Sequence, residues 1–292
     1  MNDHPPTTLR RLTARVRENR RLPAGQFILT LESPELAAEV RPGHFVHIQV
    51  DEVFTLPRPI SVMGSDVEAG TIDLLIKSIG EGTRRMAKWG KGRAVRMLGP
   101  VGNTFTPIEA PGRALMIAGG VGLAPLEFLA RTLVERGIET SLLFGTETDP
   151  PFATRLAQRP FDGADATESF TFDRLEKAGV INRLATLAER PGYFKGFVTD
   201  LARKHLNSLP PEQRARTTLY VCGPTPMMAA AARVADEFGV HGEASLEAHM
   251  ACGFGGCAGC VAKVKADTPE GWWYKRVCVD GPVFSLSSLH LD

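Results

Sequence analysis

Apolar residues follow three different patterns along the chain. Over the first third they come in short runs, Phe27–Leu31, Phe45–Val50, Ile60–Met63 and Ile72–Lys77, each bounded by Gly, Pro or Asp. Short, closely spaced strands of this kind predict a small antiparallel barrel, closed by Arg93–Leu98 and the Gly-Pro-Val-Gly at 99–102. The pattern changes near Pro111. Ala114–Ala118 is continuously apolar, as in a strand buried on both faces of a parallel sheet. A helical period follows, with Leu126, Leu129, Leu133 and Val134 on one side and Glu127 and Arg131 four apart. Thr140–Phe144 and Thr218–Val221 read as strands, and Thr225–Phe238 as an Ala-rich helix stopped by Gly239. Alternating strands and helices predict a parallel α/β domain. In the middle, Phe161–Phe172 has no clean period and Phe172–Leu187 reads as a helix. From Ser245 the chain turns Gly- and Cys-rich, with a short strand around Val261–Val264 and then Trp272-Trp273.

The expected architecture is a β-barrel plus an α/β domain. An antiparallel six-stranded barrel occupies 1–110, a parallel-sheet nucleotide-binding domain 111–243, and a small C-terminal segment 244–292. The length of 292 residues agrees with about two domains. With 34 Lys and Arg against 33 Asp and Glu, the net charge is +1, which argues against a nucleic-acid binder or a polybasic membrane surface. No apolar run reaches the roughly 18 to 20 residues of a membrane span. Met1–Arg21 is polar and Arg-rich, with neither an apolar core nor a cleavage site, and reads as a short tail entering a first strand.

Five cysteines, four of them between 252 and 278, do not suit a secreted disulfide framework; a reducing, cytoplasmic location is expected. Their spacing is Cys252-x4-Cys257-x2-Cys260, then seventeen residues, then Cys278. This is the plant-type [2Fe–2S] spacing, whereas a zinc ribbon more often shows two matched two-residue spacings. A zinc knuckle, or cysteines buried by coincidence, stays open on spacing alone. Gly253, Gly255, Gly256 and Gly259 would let the loop wrap closely and aim amides at sulfur. Cys222 lies outside the group.

Two further constellations suit phosphates. Arg58-Pro59-Ile60-Ser61 puts a guanidinium, able to grip a pyrophosphate, and a hydroxyl on an apolar strand. An edge strand with a surface arginine is the plainer alternative. Gly82-Thr83 opens a short predicted helix, Thr83–Lys88, whose N-terminus would seat a phosphate. Gly119-Gly120-Val121-Gly122 joins strand to helix without matching the G-x-G-x-x-G fingerprint. Cys222-Gly223-Pro224 forms a second such turn; either alone could be only a tight connection. After Thr140–Phe144 comes Gly-Thr-Glu-Thr-Asp at 145–149, with no Arg or Lys for a 2′-phosphate, which favours NAD over NADP.

Together these motifs resemble the ferredoxin–NAD(P) reductase superfamily, and more narrowly the electron-transfer subunits of NAD-linked dihydroorotate dehydrogenases. The likeness extends over about residues 10–290. It is carried by the stretches above, by Leu123-Ala124-Pro125 and Gly196-Phe197-Val198-Thr199-Asp200, and most specifically by Ser245-Leu246-Glu247, Met250-Ala251-Cys252-Gly253, Val277-Cys278 and Asp280-Gly281-Pro282-Val283-Phe284. The resemblance implies FAD held by Arg58, Pro59, Ile60, Ser61, Leu75, Ile76, Lys77, Gly82 and Thr83. It implies NAD faced by Gly119, Gly120, Gly122, Ala124, Pro125, Cys222, Gly223, Pro224 and Met227. A [2Fe–2S] cluster would be held by Cys252, Cys257, Cys260 and Cys278.

An FAD/[2Fe–2S] NAD-dependent oxidoreductase subunit is therefore expected, with no catalytic residue for substrate oxidation of its own. That chemistry would belong to an FMN-containing dihydroorotate dehydrogenase catalytic subunit in a hetero-oligomer, with Phe254 and Trp272-Trp273 as contact candidates or as cover for the cluster. Alternatives are the reductase subunit of a hydrogenase, sulfide dehydrogenase or oxygenase, and, in another class, a zinc-binding adaptor on a flavoprotein-like scaffold. The chain departs from the resembled pattern at Ala166–Phe172, in a helix-like insertion over about 173–192, and in a long stretch between Cys260 and Cys278.

Overall fold

The structure, a computed structural model, describes residues 9–53, 56–165 and 167–291; the first eight residues of the N-terminal stretch lie outside it. Two compact units emerge, one of residues 1–105 with 245–284, the other of 106–244 with 285–292.

The first unit contains β1 (Arg10–Arg21), β2 (Gln26–Glu32), α1 (Pro34–Glu39), β3 (Phe45–Ile48), β4 (Arg58–Asp66), β5 (Thr71–Lys77), α2 (Glu81–Met86) and β6 (Ala94–Val101). The strands close into a barrel in the order β1-β2-β5-β4-β3-β6. Each neighbouring pair is antiparallel. The Arg-rich start is not a tail: Arg10–Arg21 is the longest strand of the barrel and pairs with both β2 and β6. Its inward positions include the small Ala14 and Val16, both buried, while its arginines lie outside. The alternation is too weakly apolar to be read locally, and barrel closure supplies what propensity does not. Leu29, Leu31, Val46, Ile48, Val62, Ile72 and Leu74 fill the interior.

The second unit carries β7 (Arg113–Gly119), α3 (Leu123–Glu135), β8 (Glu139–Gly145), β9 (Thr154–Leu156), β10 (Phe170–Phe172), α4 (Asp173–Lys177), β11 (Ile181–Thr186), β12 (Phe194–Lys195), α5 (Val198–Ser208), α6 (Pro211–Ala215), β13 (Thr217–Cys222), α7 (Thr225–Phe238) and β14 (Gly242–Ser245). Its sheet runs in the order β12-β11-β8-β7-β13-β14, and the pairs from β12 to β13 are parallel. The single helix expected over Phe172–Leu187 is instead α4 followed by β11. Gly179, at φ 90°, breaks the helix, and Ile181–Ala185 pairs with Ser141–Gly145 of β8. The Asn182 side chain accepts from the Phe172 amide at 2.6 Å and donates to the Val180 carbonyl at 3.1 Å, fixing the turn. Sheet pairing thus overrides a local helical pattern.

The remaining strands of the first unit, β15 (Val261–Lys265) and β16 (Trp272–Arg276), form a two-stranded hairpin. Such a ribbon is marginal alone. One face is braced by Trp272 against Tyr274, centroids 5.0 Å apart, and by Lys263 over Trp272 at 4.2 Å. The segment around it is anchored on the barrel: Phe45 and Val101 share an apolar cluster with Met250, Cys260, Val277 and Cys278. The Asn103 side chain accepts from the Val283 amide at 2.8 Å and donates to the Val283 carbonyl at 2.9 Å.

Candidate functional site

In the first unit, the ladder between β4 and β5 stops at Val62–Leu74. Upstream of it, Arg58–Ser61 pairs only with Ile48–Phe45 of β3, while Leu75–Lys77 pairs with Ile28–Gln26 of β2. The edges of Arg58–Ser61 and Leu75–Lys77 that would face each other therefore carry backbone groups outside that ladder. Beside this gap, the Arg58 guanidinium lies on Gly82: a Cβ there would be 3.0 Å from Nε and 3.1 Å from Nη2. Arg58 is held by a 2.6 Å hydrogen bond from Nη1 to the Leu56 carbonyl. Thr83 Oγ1 accepts from the amides of Ile79 (3.2 Å) and Gly80 (3.1 Å), which closes the turn that starts α2. A half-buried guanidinium over amides of a helical first turn, next to open strand edges, fits a flavin with its diphosphate. The sequence-predicted flavin residues are thus brought together.

Also in the first unit, the four clustered cysteines line turns on the barrel flank. Cys260 and Cys278 are buried, Cys252 is half-buried and Cys257 exposed. The loop needs left-handed backbone at Gly253 (φ 75°), Gly255 (φ 86°) and Ala258 (φ 51°). Arg276 donates from Nη1 to the Gly255 carbonyl at 3.2 Å, while Asp280 accepts from the Arg276 amide at 2.7 Å. The Val277 amide donates to the Cys260 carbonyl at 2.8 Å. These bonds tie the fourth cysteine's turn to the loop of the first three. Burial opposes ionisation of Cys252, but the amides of Phe254, Cys257 and Gly256 and the Cys257 side chain outweigh it and bring its pKa down to about 6. Burial, with the neighbouring Cys260 thiol, pushes Cys278 up to about 12. The Gly259 amide points at Cys257 Sγ, 3.4 Å away. Thiols in mutual contact beneath a shell of amide donors fit an iron–sulfur cluster. Among the described residues, no three His, Cys, Asp or Glu side chains are already drawn together as a metal-holding group.

In the second unit, Cys222 of β13 pairs beside Ala118 of β7, so the turns that follow the two strands adjoin at the carboxyl edge of the sheet. A Cβ on Gly122 would strike the Cys222 carbonyl and lie 2.8 Å from the Gly223 amide nitrogen. One on Gly119 would lie 2.8 Å from Met227 Sδ and 2.9 Å from Pro224 Cδ. Gly120, at φ 56°, faces open space. Glycine is therefore required for packing at 119 and 122 and for backbone conformation at 120. Ala124 and Pro125 are buried in the first turn of α3 and shape the turn from below.

Three features escaped the sequence reading. No basic residue follows β8 locally, yet Arg190, from the loop after β11, forms a 2.8 Å ion pair with Asp149. The parallel pairing of β11 with β8 brings those loops together, and no local pattern announces it. Arg276 and Asp280 brace the cysteine loop. His47, alternating with apolar neighbours, is buried against that loop.

The barrel and the parallel sheet define a flavin- and pyridine-nucleotide-dependent oxidoreductase of the ferredoxin-reductase type. Family models match in the corresponding order: an oxidoreductase FAD-binding domain at 15–105, an oxidoreductase NAD-binding domain at 116–233, and the iron-sulfur cluster binding domain of dihydroorotate dehydrogenase B at 247–290. The chain belongs to the family of dihydroorotate dehydrogenase B (NAD(+)) electron transfer subunits. It is 32% identical over 274 residues to the one from Caldanaerobacter subterraneus subsp. tengcongensis, covering 94% of this chain and 96% of that one. It is likewise 32% identical to the Lysinibacillus sphaericus protein, covering 97% and 100%. Among solved structures, that of an NADH-dependent reduced ferredoxin-NADP oxidoreductase superposes with a TM-score of 0.77 at 26% identity, covering 100% of this chain and 92% of that one. No helix among the described residues is long and apolar enough to cross a membrane.

Proposed function

We propose that the protein carries electrons between an FMN-containing dihydroorotate-oxidising subunit and NAD, using FAD and a [2Fe–2S] cluster, and that it does so in the cytoplasm. The observation that carries this reading is that β3, whose Phe45 packs with Cys260 and Cys278, pairs along Arg58–Ser61, the segment whose guanidinium lies on Gly82. Bound flavin supplies the change between hydride exchange with a nicotinamide and single-electron exchange with an iron–sulfur cluster. In this assignment Arg58 neutralises the FAD diphosphate, and the Gly82 and Thr83 backbone approaches it closely. Pro59, Ile60, Ser61 and Leu75–Lys77 line the ring's slot. Gly119, Gly120 and Gly122, backed by Ala124 and Pro125, and Cys222, Gly223, Pro224 and Met227 receive NAD. Cys252, Cys257, Cys260 and Cys278 bind the cluster, and Phe254 and Trp273, both exposed, face the partner.

The test is anaerobic reconstitution followed by assay with and without a separately produced dihydroorotate-oxidising subunit. Stoichiometric FAD, two irons, and dihydroorotate-dependent NAD⁺ reduction only with the partner are expected. Lack of flavin and of a two-iron spectrum in reconstituted protein would sink the reading. A second reading, a reductase serving a different redox protein, draws on the full-length likeness to the ferredoxin-NADP oxidoreductase structure. It predicts the same cofactors, but recovery of that other protein on co-purification and no stimulation by the dihydroorotate-oxidising subunit.

A further inference from the structure

His47 lies between the segments assigned to two cofactors. Across the ladder to β4 it faces Pro59, inside Arg58–Ser61. Along β3 it follows Phe45 by two positions and so shares the face on which Phe45 meets Met250, Cys260 and Cys278. A Cβ on Gly253 would collide with the imidazole, striking Nδ1 and lying 3.0 Å from Cγ. The residue is 1% exposed, and neither Nδ1 nor Nε2 has a partner in good hydrogen-bond geometry among the described residues. A neutral imidazole carries one N–H, and a buried N–H calls for an acceptor. Burial lowers the pKa of the ring and Arg58 adds to this, against the backbone groups of Met250 and Cys252, which lie near the ring and favour its charged form.

We propose that His47 is a positioning residue whose ring N–H is directed at a backbone carbonyl of the Met250–Cys252 segment, holding the loop of the first cysteine against the strand beside the flavin seat. By fixing that loop it sets the surroundings of the cluster at Cys252. Position 253 then demands glycine twice over, for φ 75° and for lack of room under the ring. This inference rests on the cysteine assignment proposed above.

The test compares wild type, His47→Phe and His47→Gln, each loaded with FAD and cluster, by EPR of the reduced protein and by redox titration. His47→Phe fills the space without an N–H. It is expected to shift the g values and to move the one-electron reduction equilibrium of the cluster about tenfold, which is ~59 mV, with FAD content unchanged. His47→Gln keeps an N–H donor and is expected to fall closer to wild type. A Phe variant with wild-type g values and potential overturns the role, and so do Phe and Gln variants displaced equally. Should His47→Phe fail to retain iron, iron retention itself decides: His47→Gln is expected to keep the two-iron signal that His47→Phe loses, and loss of that signal in both variants overturns the proposal. Loss of any two-iron signal in wild type would instead sink the cysteine assignment itself, before any variant is compared.

Discussion

The guanidinium of Arg58 rests on the backbone of Gly82, with Nε 3.0 Å from where a Cβ would stand. Strand β4 thereby delivers a fixed cation to the amide-rich first turn of α2. A hydrogen bond from a charged donor is worth about 1.5–3 kcal/mol. Arg58→Ala is expected to weaken FAD binding by roughly 10- to 100-fold, measured by flavin fluorescence on titration. Arg58→Lys recovers little of it, because a point charge does not replace a planar fork. Unchanged FAD affinity in Arg58→Ala would remove the arginine from the flavin site.

Gly120 and Gly122 separate two demands on one turn. Gly122→Ala drives a methyl into the backbone of Cys222 and Gly223, which cannot move cheaply. It is expected to cost about 1–3 kcal/mol of stability and to raise the apparent KM for NADH. Gly120→Ala meets no atom and pays only for left-handed backbone, about 1–2 kcal/mol. Thermal melts with NADH-dependent flavin reduction check the pair. Equal KM values in both variants would contradict the packing argument.

Cys252 and Cys278 differ in thiolate character. In metal-free protein Cys252, brought down to about 6, is mostly thiolate at pH 7, whereas Cys278, pushed up to about 12, stays protonated and buried. Iodoacetamide at pH 7 is expected to label Cys252 well before Cys278, with the Cys252 rate rising through about pH 6. Peptide mass spectrometry over time reads the order, and prior labelling of Cys278 would refute it.

His205, in the second unit, is buried, stacks on Phe161 with centroids 4.2 Å apart, and donates from Nδ1 to the Asp162 carbonyl at 2.8 Å. Burial lowers its pKa from 6.5. The unfolded chain therefore takes up this proton first as pH falls. The stability contributed is complete above about pH 6.5 and is lost as pH drops through the lower folded value. A melting temperature falling below pH 6.5, with a shallower fall in His205→Gln, is the expected result.

Phe45 anchors the cysteine segment on the barrel. Phe45→Ala is expected to cost about 3–5 kcal/mol and to lower iron retention more than flavin retention, since its cluster of neighbours includes Cys260 and Cys278. Iron and FAD assays on the same preparation measure the ratio. Parallel loss of both would mean that the barrel as a whole had failed.

Much of this molecule is local information. Apolar runs bounded by Gly and Pro mark barrel strands, because a strand buried on one face needs little more than alternation and a stop. The cysteine spacing and the two glycine turns announce their chemistry for the same reason: ligands and tight turns use residue types with few substitutes. The sequence by itself thus determined the fold class, a barrel followed by a parallel α/β sheet, and the kinds of cofactor domain the chain carries. Tertiary structure alone decided where weak local signals yield to pairing. Arg10–Arg21 is a strand because β2 and β6 both need a neighbour, and Ile181–Thr186 leaves the helical pattern because β8 offers a parallel edge. It also decided which distant residues meet. Arg58 reaches Gly82, Arg190 reaches Asp149 and His47 reaches Gly253 through register and barrel closure, and contacts set by register leave no periodic trace in the chain.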